Sequence, residues 1–280
     1  MRLSEPLPAA GWRAELALDY ERRGPRTVLA ARRHDGPLLV QRPLYPEGDS
    51  VCHTIVVHPP AGIAGGDELE ITARAAAGTH ALLTTPGAGR WYRSAGPWAR
   101  QRLVFEVATA ATLEWLPQET IVFDGALAEL TTEVRLEETA RFLGWEVLCL
   151  GRTGSGERYA KGECRLRTQV MRDGVPLWVE RGRIEGGGVL LDSPVGLGGR
   201  TVCGTLLAIA PDLGTELVAA CRIEQPAAGA VAVTLLPGVL VARYLGDSSE
   251  AARRYFARLW RRLRPALCGR EAVEPRIWRT

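Results

Sequence analysis

Apolar residues in this chain recur mostly at every second position, the period of a half-buried β-strand, and only near the C-terminus at the three-and-four spacing of an amphipathic helix. Leu69, Ile71 and Ala73 alternate with Glu70, Thr72 and Arg74. Leu103, Phe105 and Val107 alternate less cleanly with Val104, Glu106 and Ala108, as a strand covered on both faces does. Leu38 to Val40 and the β-branched run from Cys52 to Val57 predict two more short strands. LEWLPQETIVFDG from Leu113 and LTTEVRLEETARFLGWEVLCLG from Leu130 predict others, with Glu137 to Gly144 open between strand and a helical turn or two.

Two hairpins follow. Cys164, Leu166, Thr168 and Val170 share one face, Asp173-Gly174 supplies the turn, and Leu177 to Glu180 returns; three glycines at 186 to 188 then break the pattern. Val231, Val233 and Leu235 lead to Pro237-Gly238, after which Val239 to Leu245 resumes. No unit repeats at a fixed period. The pattern predicts a mainly β protein with one convincing helix over residues 247–264. There Asp247 and Glu250 provide capping chemistry, and Ala252, Tyr255, Phe256, Leu259, Trp260 and Leu263 form an apolar stripe. Arg253, Arg254, Arg258, Arg261 and Arg262 lie largely between the stripe positions, and Pro265 is expected to end the helix.

At 280 residues and 46% apolar content the chain has enough material for a large core. It contains no run of eighteen apolar residues, so a spanning helix is not expected. The opening MRLSEPLPAAGW lacks the apolar segment of a secretory signal, which makes the cytoplasm the expected compartment. Six dispersed cysteines without a CxxC pair fit reduced thiols better than a thiolate zinc site. Charge sharpens the picture of the C-terminus: residues 253–280 carry nine arginines against Glu271 and Glu274, a local net of +7 beside −4 for the rest. Interleaved surface aromatics on strands, zinc spacing and a helix-turn-helix pattern are all missing, so a nucleic-acid module is disfavoured.

The chemistry-bearing segments give no enzyme pattern. His53 and His58 stand five apart, on opposite faces of an uninterrupted strand, and no third ligand is local. The glycines of HPPAGIAGGD precede a strand instead of a helix, and GRTGSGER places Glu157-Arg158 where a phosphate loop needs Lys and Ser/Thr. TTPGAGR offers Arg90, with Arg93 nearby, as an anion-holding loop without a second partner. No catalytic residue is assigned. The alternative is a cytoplasmic hydrolase or transferase whose site spans the 53–67 and 113–124 segments.

Several blocks, in order over nearly the whole chain, closely resemble the UreD (UreH) family of urease accessory proteins. They are His58 to Asp67 (HPPAGIAGGD), Arg93-Ser94 in WYRS, Leu113 to Ala126 (LEWLPQETIVFDGA), Gly151-Arg152 with Gly156-Glu157, Arg243 to Gly246 (RYLG) and the tail Pro275 to Thr280 (PRIWRT). Ala61 replaces a common Gly, and Arg90 stands where a Lys-containing segment is usual, which weakens any ligand role carried over to that position. The resemblance implies a single domain over 1–280 with two extended layered or helically arranged sheets and a few helices. It implies a non-enzymatic scaffold that binds apo-urease and recruits UreF and the GTPase UreG, as a dimer of heterocomplexes. GTP would be bound by UreG alone, with no cofactor or metal held stably in this chain and Ni²⁺ passing transiently along an internal polar route. His58, Asp67, Glu114, Glu119 and Asp124 are the residues expected to line that route, and Arg253, Arg254, Arg258, Arg261 and Arg262 those expected to meet acidic partner surfaces.

Overall fold

The computed structural model describes residues 11–279; the reading of the opening segment and the terminal Thr280 fall outside them. Alternation sets the architecture. Along Arg13–Arg23 the buried positions are Ala14, Leu16, Leu18 and Tyr20, and the same two-residue period recurs in Glu68–Ala75. Each such strand turns one face to a core and one to solvent, so successive strands stack with their apolar faces in line.

The chain winds as a β-solenoid. Arg13–Arg23, Glu68–Ala75, Ala99–Val107, Leu127–Leu136 and Glu163–Arg172 pair in parallel in one sheet. Between them the chain crosses to a second sheet, where Cys52–Val57, His80–Thr84, Thr112–Leu116 and Arg141–Leu150 also stack in parallel. One coil takes roughly 30 residues, because residues such as Glu68, Arg100 and Glu129 become stacked neighbours. Turn lengths differ from coil to coil, which is why no fixed period is visible in the sequence. A third ledge of Gly62–Ile63, Gly89–Trp91 and Thr120–Val122 completes the coils.

The first sheet has seven strands and is closed by the hairpins Arg13–Arg23/Arg26–Asp35 and Glu163–Arg172/Val175–Glu185. The second has eleven and is extended by antiparallel strands Val202–Ile209, Val239–Gly246 and Ala230–Leu236. Both predicted hairpins are present. Glu137 to Gly144 resolves as a turn followed by the strand Arg141–Leu150. At Ala61 the backbone has φ of 59°, a conformation that Gly adopts without steric cost, so the family's usual Gly there has a structural reason.

The C-terminal helix differs from its expected bounds. It runs over Ser249–Cys268, straight through Pro265. Ser248, not Asp247, caps it by accepting a hydrogen bond from the Ala251 amide, while Asp247 holds Arg200 at 2.6 Å. A second helix, Thr215–Ile223, lies beside it. No described helix is long and apolar enough to cross a membrane.

Two cores result. Between the sheets lie residues such as Leu18, Ile71, Phe105, Leu113 and Phe142. On the other face of the second sheet, Trp145, Tyr255, Phe256, Leu259 and Trp260 pack the helix down. Trp278 from the PRIWRT tail joins this outer core, 5.6 Å from Trp145 and 5.7 Å from Trp260, and its indole N–H donates to Thr84 Oγ1 at 2.8 Å.

Candidate functional site

Because strand residues alternate between faces, the second sheet presents one row of side chains to the inner core and another to the helix. Polar residues interrupt both rows, with different results.

On the inner side a cavity of about 260 Å³, room for several waters, runs along the solenoid axis between the sheets. Every coil contributes to its wall. His58, Gly62 and Arg90 line it at the first coils, Gln101 and Thr132 in the middle, and Glu146, Thr168, Glu180 and Thr205 at the closing coils. Arg90 is exposed at one end, and at the other the Glu180 and Arg243 side chains retain 32% and 41% of their exposure, so both ends approach solvent.

The far end is chemically the most active part of the wall. Glu146 has no hydrogen-bond partner among the described residues and faces the cavity instead of bulk water. Removal from water, with a smaller contribution from the charge of Glu180, pushes its carboxyl up to about 7. Glu180, by contrast, accepts from Arg243 at 2.6 Å, and Arg243 also donates to Thr205 Oγ1 at 2.6 Å while stacking 5.6 Å over Trp178. Cys164 and Cys203 stand close enough to feel the charge of Glu146, and burial pushes both thiols upward.

Of the five residues expected along the passage, the structure brings His58 alone to the cavity wall. Burial lowers the His58 pKa, opposed by the nearby Asp67 charge. Asp67 itself accepts backbone N–H bonds from Ala64 at 2.7 Å and Trp12 at 2.8 Å, a turn-building role. Asp124 does the same for Ala160 and Lys161, both at 2.8 Å. Glu119 pairs with Arg253 of the helix at 2.8 Å. Glu114 points to the opposite face of the sheet.

There it anchors a second polar cluster, sealed under the helix. Glu114 and Arg264 have no side-chain exposure, and Glu47 has 4%. Glu114 accepts from His80 at 2.6 Å, Trp260 Nε1 at 2.5 Å and Arg264 Nη2 at 3.0 Å. Arg264 also reaches Glu47 through both Nη atoms at 2.6 and 2.7 Å, as well as the Glu271 carbonyl, and His53 closes the cluster on Glu47 at 2.6 Å. Burial alone would raise the Glu114 carboxyl; the His80 contact, the charges of His80 and Arg264 and the Trp260 donor hold it at about 2. His53 and His58 do fall on opposite faces, as their spacing predicts.

His80, Glu114 and Cys268 bring potential ligand atoms within 4.8 Å of one another. The set is unsuited to a cation, because both Glu114 oxygens are occupied by donors and a guanidinium stands where the metal would add its charge. Sequence reasoning missed Glu47, His80 and Arg264. The signal for Arg264 was present: it follows Phe256 and Trp260 at intervals of four, on the buried stripe.

The five surface candidates on the helix are engaged within the chain. Arg253 contacts Gln118 and Glu119, Arg258 and Arg262 share Glu224, Arg261 pairs with Glu274, and Arg254 pairs with Glu250 one turn away. In the glycine-rich 151–158 loop, Arg152 binds Glu157 at 2.7 Å, so the loop closes on itself.

A model of the UreD urease accessory protein family matches residues 13–279. Urease accessory protein UreD of Dechloromonas aromatica (strain RCB) is 57% identical, covering 99% of this chain and 98% of its own length. The protein of that name from Azoarcus sp. (strain BH72) is 60% identical over 96% of this chain and 95% of its own, and that of Pseudomonas fluorescens (strain Pf-5) is 52% identical over 98% and 99%.

Proposed function

The chain belongs to the UreD family of urease accessory proteins, and from that premise we propose that it is the scaffold on which nickel is delivered to apo-urease, with the inter-sheet cavity as the route. The observation that carries this reading is the cavity itself. It touches every coil, begins at an imidazole and ends at two carboxylates. Ni²⁺ is cargo here. Imidazole and carboxylate oxygens are ligands it accepts, and separated weak ligands let it move on where a closed tetrahedral or octahedral cage would retain it. Threonine and glutamine side chains along the wall offer further oxygens for a partly hydrated ion.

In this reading the protein works in the cytoplasm, bridging apo-urease to UreF and the GTPase UreG, with two copies of each in the assembly. The GTPase supplies the chemistry, and this chain supplies the path. Of the five helix arginines, Arg254, whose side chain is 71% exposed and tied only within its own helix, is the most available to an acidic partner surface. The alternative of a hydrolase or transferase drawing on the 53–67 and 113–124 segments is disfavoured by the placement of His58 and Glu114 on opposite faces of the second sheet.

The test is the nickel content of urease matured in cells carrying Glu146→Gln, Glu180→Gln or His58→Gln. Nickel per urease active site is expected to fall for the carboxylate variants, while co-purification with the partner proteins persists. Unchanged nickel content in all three would overturn the route.

A further inference from the structure

Arg243 sits where a cation route would least tolerate a positive charge. It belongs to Val239–Gly246 of the eleven-stranded sheet, whereas its partner Glu180 belongs to Val175–Glu185 at the edge of the seven-stranded sheet. The 2.6 Å contact therefore straps the two sheets together across the closing coils of the solenoid. The Thr205 hydroxyl and the Trp178 ring fix the guanidinium in place, so the strap is a held geometry and not a loose surface pair. Glu146, two strands over from Arg243 on Arg141–Leu150 and in register with Thr205, has no such cation among the described residues.

We propose that Arg243 is a positioning residue for cation release, one that competes with a divalent cation for the Glu180 carboxylate and so keeps the end of the cavity from becoming a trap. The inference rests on the reading of the cavity as a nickel route. Two carboxylates on one cavity wall, left to themselves, would hold a first-row divalent ion. A fixed guanidinium on one carboxylate removes half of that charge until the ion displaces it, and re-forms its contact as the ion leaves. The exchange is purely one of ion pairs, and no bond is made or broken. Coupling between close charge pairs of this kind is large enough to change affinity by tenfold or more.

The test is equilibrium dialysis of untagged full-length chain against NiCl₂, with thermal melts to verify folding. Arg243→Gln is expected to bind Ni²⁺ about tenfold more tightly than wild type, and purified protein is expected to retain nickel after desalting. Arg243→Lys keeps the charge but loses the planar guanidinium that Thr205 and Trp178 hold in place, and is expected to fall between the two. A residue with a merely structural role would lose binding on substitution, so a gain is diagnostic. Unchanged or weaker binding by a folded Arg243→Gln, or, should that variant fail to fold, by Arg243→Lys, overturns the proposal. If Glu180→Gln lowers affinity while the Arg243 variants do not raise it, the release role fails and the route stands. If Glu146→Gln and Glu180→Gln both leave binding unaltered, the route fails and the release role with it.

Discussion

The eleven-stranded sheet buries charged residues on both of its faces, and the two clusters are built in opposite ways. Under the helix, Glu47, Glu114, Arg264, His53 and His80 satisfy one another almost completely, with side chains no more than 11% exposed. Along the cavity, Glu180 has a partner but Glu146 has no hydrogen-bond partner among the described residues, and open volume lies beside both. Satisfaction separates the two: one cluster fastens an element, and the other leaves a carboxylate facing open volume. The metal-like grouping of His80, Glu114 and Cys268 illustrates the point, since closeness of ligand atoms counts for nothing when donors already fill them.

The largest expected effect tests the fastening cluster. Arg264→Met preserves most of the side-chain volume but leaves Glu47 and Glu114 buried without their cation, which costs about 3–5 kcal/mol. Unfolding followed by circular dichroism is expected to show a midpoint lowered by roughly 10 °C for a chain of this size. A loss below about 1 kcal/mol would erase the distinction between the two faces.

Glu146 gives the next effect, of opposite sign. Its carboxyl is raised from 4.5 to about 7 in the folded state, so the unfolded chain releases this proton first as pH rises. Folding stability then falls from pH 4.5 to about 7, and the whole cost is present above that window. Glu146→Gln carries no such cost. It is expected to match wild type near pH 4 and to exceed it by about 2–3 kcal/mol at pH 8, read from urea midpoints at the two pH values. A variant less stable than wild type at pH 8 would mean that Glu146 is as well satisfied as Glu114.

Much of the scaffold was legible from alternation: the two hairpins, the Leu69 to Ala73 strand and the C-terminal helix are local signals that tertiary packing reinforces. The solenoid was not, because stacking Glu68 on Arg100 and Arg100 on Glu129 depends on loop lengths that vary, and a sequence pattern does not record which strand a given strand meets. Of the cavity wall, the residues singled out from sequence for the passage reached one position. His58 stands out as an imidazole at a strand end, whereas Glu146 and Glu180 read as ordinary polar positions in strands with one wet face. Only the folding of both sheets over them turns those positions inward. Asp67 and Asp124 misled for the converse reason: acids beside glycines in a turn serve backbone amides first.

The smallest effect concerns charge that is neither sealed nor facing the cavity. Arg254 and Glu250 meet at 2.6 Å with side chains 71% and 61% exposed, one turn apart on the helix. Water screens such a pair, and ordering two long side chains offsets most of its attraction. Arg258 and Arg262 differ, because both converge on Glu224 from another element and so help to hold the helix. Arg254→Ala is therefore expected to shift stability by no more than about 0.5 kcal/mol in urea unfolding. If the proposed acidic partner surface meets this face, the same substitution is expected to reduce recovery of the partner complex by size-exclusion chromatography most at low salt, the difference from wild type shrinking as salt is raised and screens the charge. A shift above about 1 kcal/mol would place Arg254 with Arg264 among the residues that fasten the helix, and an unaltered complex at every salt concentration would remove it from the partner surface.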